Sequence, residues 1–184
     1  MKSLRSLLLT FVLAACAGPG TYEAVSTAVI AANYRAADAL IAIARPGLDA
    51  DKPIIIATLV DIDDLERSST LGRYVSESVS ARFTQGGYKM VEMKFQNAVY
   101  MKRGEGELML TRQIREIASS HQAQAVVVGT YSRASSAVFI NLKVVRPESN
   151  IVIAAQDYSL RMNRDICMMI TRDERACAER WREY

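Results

Sequence analysis

Apolar residues along the chain follow two spacings. Across residues 22–45, Val25, Ala28, Val29, Ala32, Ala36, Ala39, Leu40 and Ile43 recur three or four apart, the period of one helix face. Pro46-Gly47 closes this stretch, so the spacing predicts an amphipathic helix that ends before the pair. Residues 53–60 instead form a continuous apolar run without alternation, as a central strand covered on both faces requires. Helical spacing returns with Leu71, Tyr74, Val75, Ser78, Val79 and Phe83. Ser68 or Ser69 stands where its N-cap belongs, and Gly86-Gly87 ends it. A second strand is expected over 88–95, followed by a polar loop from Gln96. Leu110, Ile114, Ile117 and Ala118 then mark a short helix, with Thr111 available as its cap.

The remainder is β-rich. A strand over 123–131 contains Ala125-Val126-Val127-Val128. In the next, Val138, Ile140, Leu142 and Val144 alternate with Phe139, Asn141, Lys143 and Val145, and a third follows Pro147 over 151–160. The short breaks Ala134-Ser135-Ser136 and Pro147-Glu148-Ser149-Asn150 suit hairpins, which makes these three strands an antiparallel meander. The two earlier strands are separated by helices and need crossovers. The expected fold is α/β (α+β): a mixed sheet of about five strands with helices packed on it, preceded by an N-terminal helix. Residues 161–184 read as a charged tail, helical in part.

The first fifteen residues carry Lys2 and Arg5, an apolar stretch over 7–13, and the small residues Ala14 and Ala15, the layout of a secretory signal. That stretch is far shorter than the ~20 residues a helix needs to span a bilayer. Leu13-Ala14-Ala15-Cys16 matches the bacterial lipobox, in which the cysteine thiol takes a diacylglyceryl group and cleavage frees its amine for acylation. Two or more acyl chains anchor a protein stably. Ala17 stands where an Asp signals retention in the inner membrane, which favours the outer membrane, on its periplasmic face. Residues 16–21, with Gly18, Pro19 and Gly20, form a short leash to a domain over 22–160.

Removal of residues 1–15 takes away two of 23 basic residues and none of the 20 acidic ones, leaving a net charge near +1. Nothing in that balance favours nucleic acid or an anionic membrane surface. With Cys16 acylated, Cys167 and Cys177 remain as a pair in an oxidising compartment, and a disulfide is expected. The alternatives are two thiols in a helical tail, or a metal site, for which no third ligand lies nearby. A disulfide requires the tail to turn, because ten residues of unbroken helix rise about 15 Å.

Candidate chemistry is sparse. Asp61-Ile62-Asp63-Asp64 lacks the glycine and distal glutamate of a calcium loop, and fits better as acid facing the dipole of the following helix. Gly104-Glu105-Gly106-Glu107 lacks the third glycine and the Lys-Ser/Thr of a phosphate cradle. His121, the single histidine, lies at a helix end, and no Gly-x-Ser-x-Gly elbow exists for it to serve. No catalytic residue, metal site or cofactor is assigned, and an enzyme is not expected.

Four segments together resemble the FlgO family of flagellar outer-membrane lipoproteins: Asn33-Tyr34-Arg35-Ala36-Ala37-Asp38-Ala39-Leu40, residues 57–73 with Val60-Asp61-Ile62-Asp63-Asp64, Gly106-Glu107-Leu108, and Gln124-Ala125-Val126-Val127-Val128-Gly129-Thr130-Tyr131. The resemblance covers about residues 33–160. It implies a periplasmic α/β domain similar to the N-terminal domain of TolB and to CsgG, and a non-enzymatic role in flagellar assembly or motility through protein contacts. Fold analogy adds self-association into a ring as an expectation. The alternative is an envelope lipoprotein that regulates a peptidoglycan synthase or forms part of a secretion channel.

The lipobox yields a direct test. Palmitate should label the wild-type protein and not Cys16→Ser; equal labelling of both would end the assignment of Cys16.

Overall fold

The computed structural model describes residues 21–92 and 112–179. In chain order its elements are helix α1 (Thr21–Ala44), strands β1 (Ile54–Ile56) and β2 (Val60–Asp61), helix α2 (Thr70–Gln85), strand β3 (Met90–Glu92), helix α3 (Arg112–Ser120), strands β4 (Ala125–Arg133), β5 (Ala137–Val145) and β6 (Val152–Arg161), and helices α4 (Arg164–Thr171) and α5 (Glu174–Glu179). The helical spacing at 22–45 thus gives α1, and Pro46 falls in a 3-10 turn, Arg45–Gly47, just beyond it.

One mixed sheet runs in the order β3-β1-β4-β5-β6, with β2 also paired to β4. Pairing among β3, β1, β2 and β4 is parallel, because helices carry the chain back between them. Pairing of β4 with β5 and of β5 with β6 is antiparallel, because short turns suffice there. The expected architecture is therefore the observed one.

Helices cover the two sheet faces unequally. On one, Leu40 of α1, Val75, Val79 and Phe83 of α2, and Ile166 and Ile170 of α4 meet Ile54, Ile140, Leu142 and Val144 of the strands in the main core. On the other, Ile114 and Ala118 of α3 cover Ile55, Val126, Val128 and Val145. Alternation places Val145 on the outward face with Phe139; it is nevertheless fully buried, because α3 lies over that end of the sheet.

The apolar run at 53–60 is not one strand. Ile56 pairs with Val127 and Val60 with Thr130, so four steps on one side answer three on β4. The extra residue breaks the ladder as a bulge does. Side chains take up the freed backbone groups. The Leu59 N–H donates to Ser76 Oγ at 3.0 Å, and Ser68 Oγ donates to the Leu59 carbonyl at 2.8 Å. Ser76 Oγ also lies 3.2 Å from the Ala57 carbonyl and 2.9 Å from that of Gly72.

These bonds demand close approach. A Cβ on Gly72 would fall 2.4 Å from the Leu59 carbonyl oxygen. Across the sheet, a Cβ on Gly129 would fall 2.9 Å from Leu59 Cγ and 2.6 Å from the Asn141 carbonyl oxygen. Leu59 is thus seated between two positions that tolerate only glycine.

After α4, Arg172 adopts a left-handed backbone with φ of 57°, which ends the helix and turns the chain into α5. The turn brings Cys167 and Cys177 to a Cα separation of 5.8 Å, and the two are joined by a disulfide. Both cysteines are buried in the main core. Closing so short a loop contributes on the order of 2–3 kcal/mol in a chain-entropy model.

Gly72→Ala should destabilise the protein by about 1–3 kcal/mol, the usual range for overpacking, despite a gain of up to ~1 kcal/mol in helix propensity. Ser76→Ala should cost about as much by leaving the Leu59 N–H buried without an acceptor. Urea unfolding measures both; a Gly72→Ala protein as stable as wild type would remove the close-packing account.

Candidate functional site

The residues singled out from the sequence are mostly occupied in holding the fold. Asn33 is fully buried on α1 and accepts a hydrogen bond from the Tyr158 hydroxyl of β6 at 2.7 Å. Burial pushes the Tyr158 phenol well above its usual pKa, so it remains a neutral donor. The Asn33 Nδ2 is buried and lacks a partner among the described residues. One turn on, Asp38 receives a two-pronged pair from Arg82 of α2, at 2.7 and 3.0 Å, while Arg82 lies 5.4 Å from the Tyr34 ring centre. That pair is solvent-exposed, so water screens it and it orients more than it stabilises.

The acidic segment after β2 makes turns rather than a cap. Asp61 is buried, accepts from the Asp63 N–H at 3.1 Å, and lies 3.8 Å from Arg133 Nε. Asp64 accepts from the Glu66 N–H at 3.3 Å. The N-cap of α2 is Ser69, which accepts from the Gly72 N–H at 3.1 Å, and the first turn contains no acid. The expected pairing of these acids with the helix dipole is therefore corrected: eight residues separate β2 from α2, and the carboxylates organise that passage.

Beside Asp61, Tyr131 is buried, and desolvation raises its pKa against the opposing effect of a hydrogen bond with Ser69. It too is a polar strut. Among the described residues, no group of three or more His, Cys, Asp or Glu is arranged to hold a metal ion. His121 is exposed at the end of α3, where its N–H bonds the Ile117 carbonyl, and its side chain has no hydrogen bond among the described residues. Next to His121, at the end of the sheet away from Asp61, Gln124 and Arg146 line a cleft, but both are spent on backbone: Gln124 on Asp49 and Lys52, Arg146 on Gly47 and on the carbonyl of Gln124. Cys16, Glu105 and Glu107 lie outside the described residues, as does the Thr111 cap.

A different feature stands out: the outward face of β4, β5 and β6, beyond the reach of α3. Here a groove of about 430 Å3 runs between Ile62 and Phe139 over Thr130, Ser132, Asn141 and Ser159. Ile62 is 48% and Phe139 56% exposed. Asn141 donates to Asp157 across the β5–β6 ladder. Two apolar walls on a hydroxyl and amide floor offer contact area to a protein surface. Alternation in the sequence places Phe139 outward, yet carries no sign of whether a helix covers it; Ile62 is hidden among the acids.

Tyr158→Phe isolates the strut between α1 and β6. It leaves the buried Asn33 amide without its bond and should cost about 1–3 kcal/mol in urea unfolding. An unchanged midpoint would show that Asn33 finds another partner.

The C-terminal domain of LpoB from Salmonella enterica is similar to this chain with a TM-score of 0.49 and 12% identity, covering 72% of this chain and 97% of its own. Escherichia coli LpoB, determined by NMR, reaches 0.47 with 11% identity, covering 88% and 81%. The PelC dodecamer from Paraburkholderia phytofirmans reaches 0.41 with 10% identity, covering 62% and 75%. No curated protein matches the chain by sequence. Likeness at this level leaves the role to be argued from the chain's own residues. The family model described as FlgO protein matches residues 34–165, well over half of the sequence, from the Tyr34 that faces Arg82 to the first turn of α4. The chain belongs to the FlgO protein family.

Proposed function

We propose that this protein is a lipid-anchored envelope lipoprotein of the outer membrane that supports flagellar assembly or motility through protein contacts, without catalysis. The observation that carries this reading is the family match over residues 34–165, set behind a sequence with the layout of a lipoprotein signal ending at Cys16. No described helix is long and apolar enough to cross a membrane; in this reading attachment falls to the acyl chains on Cys16.

The arrangement of polar residues supports a contact role. Asp61, Tyr131, Asn33 and Tyr158 are each engaged in turns or struts between elements. Partners in this reading are flagellar or other envelope proteins, and the tether raises the local concentration of the domain beside them.

A deletion strain should swim poorly while growth and general envelope integrity stay largely intact. His121→Ala and Asp63→Asn proteins should restore swimming about as well as wild type, and Cys16→Ser should not, because a soluble domain loses its tether. Swimming-plate assays with membrane fractionation check this. A deletion strain that swims normally but shows cell-wall defects would favour the synthase-regulator alternative, and failure of a stable, correctly localised His121→Ala protein would return an enzyme to consideration.

A further inference from the structure

The last strand has one edge left unpaired among the described residues. β6 (Val152–Arg161) is ten residues long and, among the described residues, pairs only with β5. Long exposed edges usually carry a guard such as proline, lysine or a bulge. β6 contains neither proline nor lysine, and its one register irregularity lies at its start, opposite Val144 and Val145.

Two hydrogen bonds show which residues present their backbone at this edge. The Met162 N–H donates to the Ser136 carbonyl at 2.9 Å, continuing the β5 ladder past the end of β6. Even-numbered residues here therefore turn their backbone groups toward β5, and Asp157, Ser159 and Arg161 turn theirs outward. In agreement, the Asp157 carbonyl accepts a side-chain bond from Gln156 at 2.7 Å. The side chains of Asp157, Ser159 and Arg161 are exposed on the outer face, while Leu160 is buried on the opposite one. Asp157 and Arg161 are the two charges of the strand.

An antiparallel copy must align odd residues with odd residues to form hydrogen-bonded pairs. Centring the pair on Asp157 sets two carboxylates against each other, and centring it on Arg161 sets two guanidinium groups together. Centring it on Ser159 places unlike charges opposite each other twice. We infer that β6 is a self-complementary edge through which two copies of this chain pair antiparallel about a twofold axis at Ser159, with Asp157 against Arg161 of the partner subunit and Arg161 against Asp157 of the partner subunit. An axis normal to the sheet keeps both α1 helices on one face of the joined sheet.

The test uses the full-length protein in cell membranes. Ser159→Cys brings two thiols opposite each other at a Cα separation of about 5.5 Å in such a pair, within disulfide range. Ala155→Cys, exposed on the same strand, leaves its thiols about 27 Å apart in this register. Non-reducing electrophoresis should show a covalent dimer for Ser159→Cys and at least about tenfold less for Ala155→Cys. Adding Arg161→Glu or Asp157→Lys to Ser159→Cys should reduce the dimer about tenfold, since each places like charges opposite each other at two sites. Combining the two reversals should restore it to within about twofold. Three results would overturn the inference: no dimer from a Ser159→Cys protein whose Cys167–Cys177 bond is intact by mass, equal dimer from both cysteine variants, or cross-linking only to a different protein.

Discussion

The break between β1 and β2 is the constraint on which the arrangement depends. An extra residue in a central strand frees backbone groups inside the core, where an unpaired N–H or carbonyl is expensive. α2 supplies the remedy through Ser76, and Ser68 just before it completes the set. Because these hydroxyls are short, α2 must lie almost against the strand, and glycine at 72 and 129 makes room. The position of α2 in turn seats Phe83 in the core and delivers Arg82 to α1. It also fixes where Ser69 meets Tyr131, and so the shape of the acidic passage between β2 and α2.

Around that centre the family-like segments divide into two kinds of work. The segment at 33–40 ties α1 down through one buried bond and one exposed ion pair, and of these the buried Asn33–Tyr158 contact matters more, since water cannot replace it. The segment at 57–73 forms the break, the turns and the cap of α2. The residues beyond β6 join the same core: α4 contributes Ile166 and Ile170, and the disulfide holds α5 against it.

Unequal covering of the sheet leaves surface for contacts. α3 closes the β1–β4 end of one face, while the far part of the meander remains open among the described residues, with Phe139 and Ile62 flanking a polar floor. The open face and the β6 edge adjoin, because Asp157 and Ser159 belong to both. Among the described residues the domain thus presents an edge and a face at once.

Much of the fold was legible in the sequence because secondary structure follows local periodicity. The spacing of Val29, Ala36 and Leu40 marks α1, Ser69 caps α2, and alternation from Val138 to Val144 separates the two sides of β5. Short hairpin breaks likewise imply the meander. What tertiary structure decided is everything set by distant partners. Periodicity cannot reveal that an apolar run carries one residue too many for β4, that Val145 lies under a helix while Phe139 does not, or that the acids at 61–64 bond within their own turns. Parity and compartment suggested a pair between Cys167 and Cys177, but only the left-handed turn at Arg172 brings those positions within bonding range. The physical reason is the same in each case: hydrophobic patterning selects an element and its buried side, while register, close approach and covering depend on which other elements arrive.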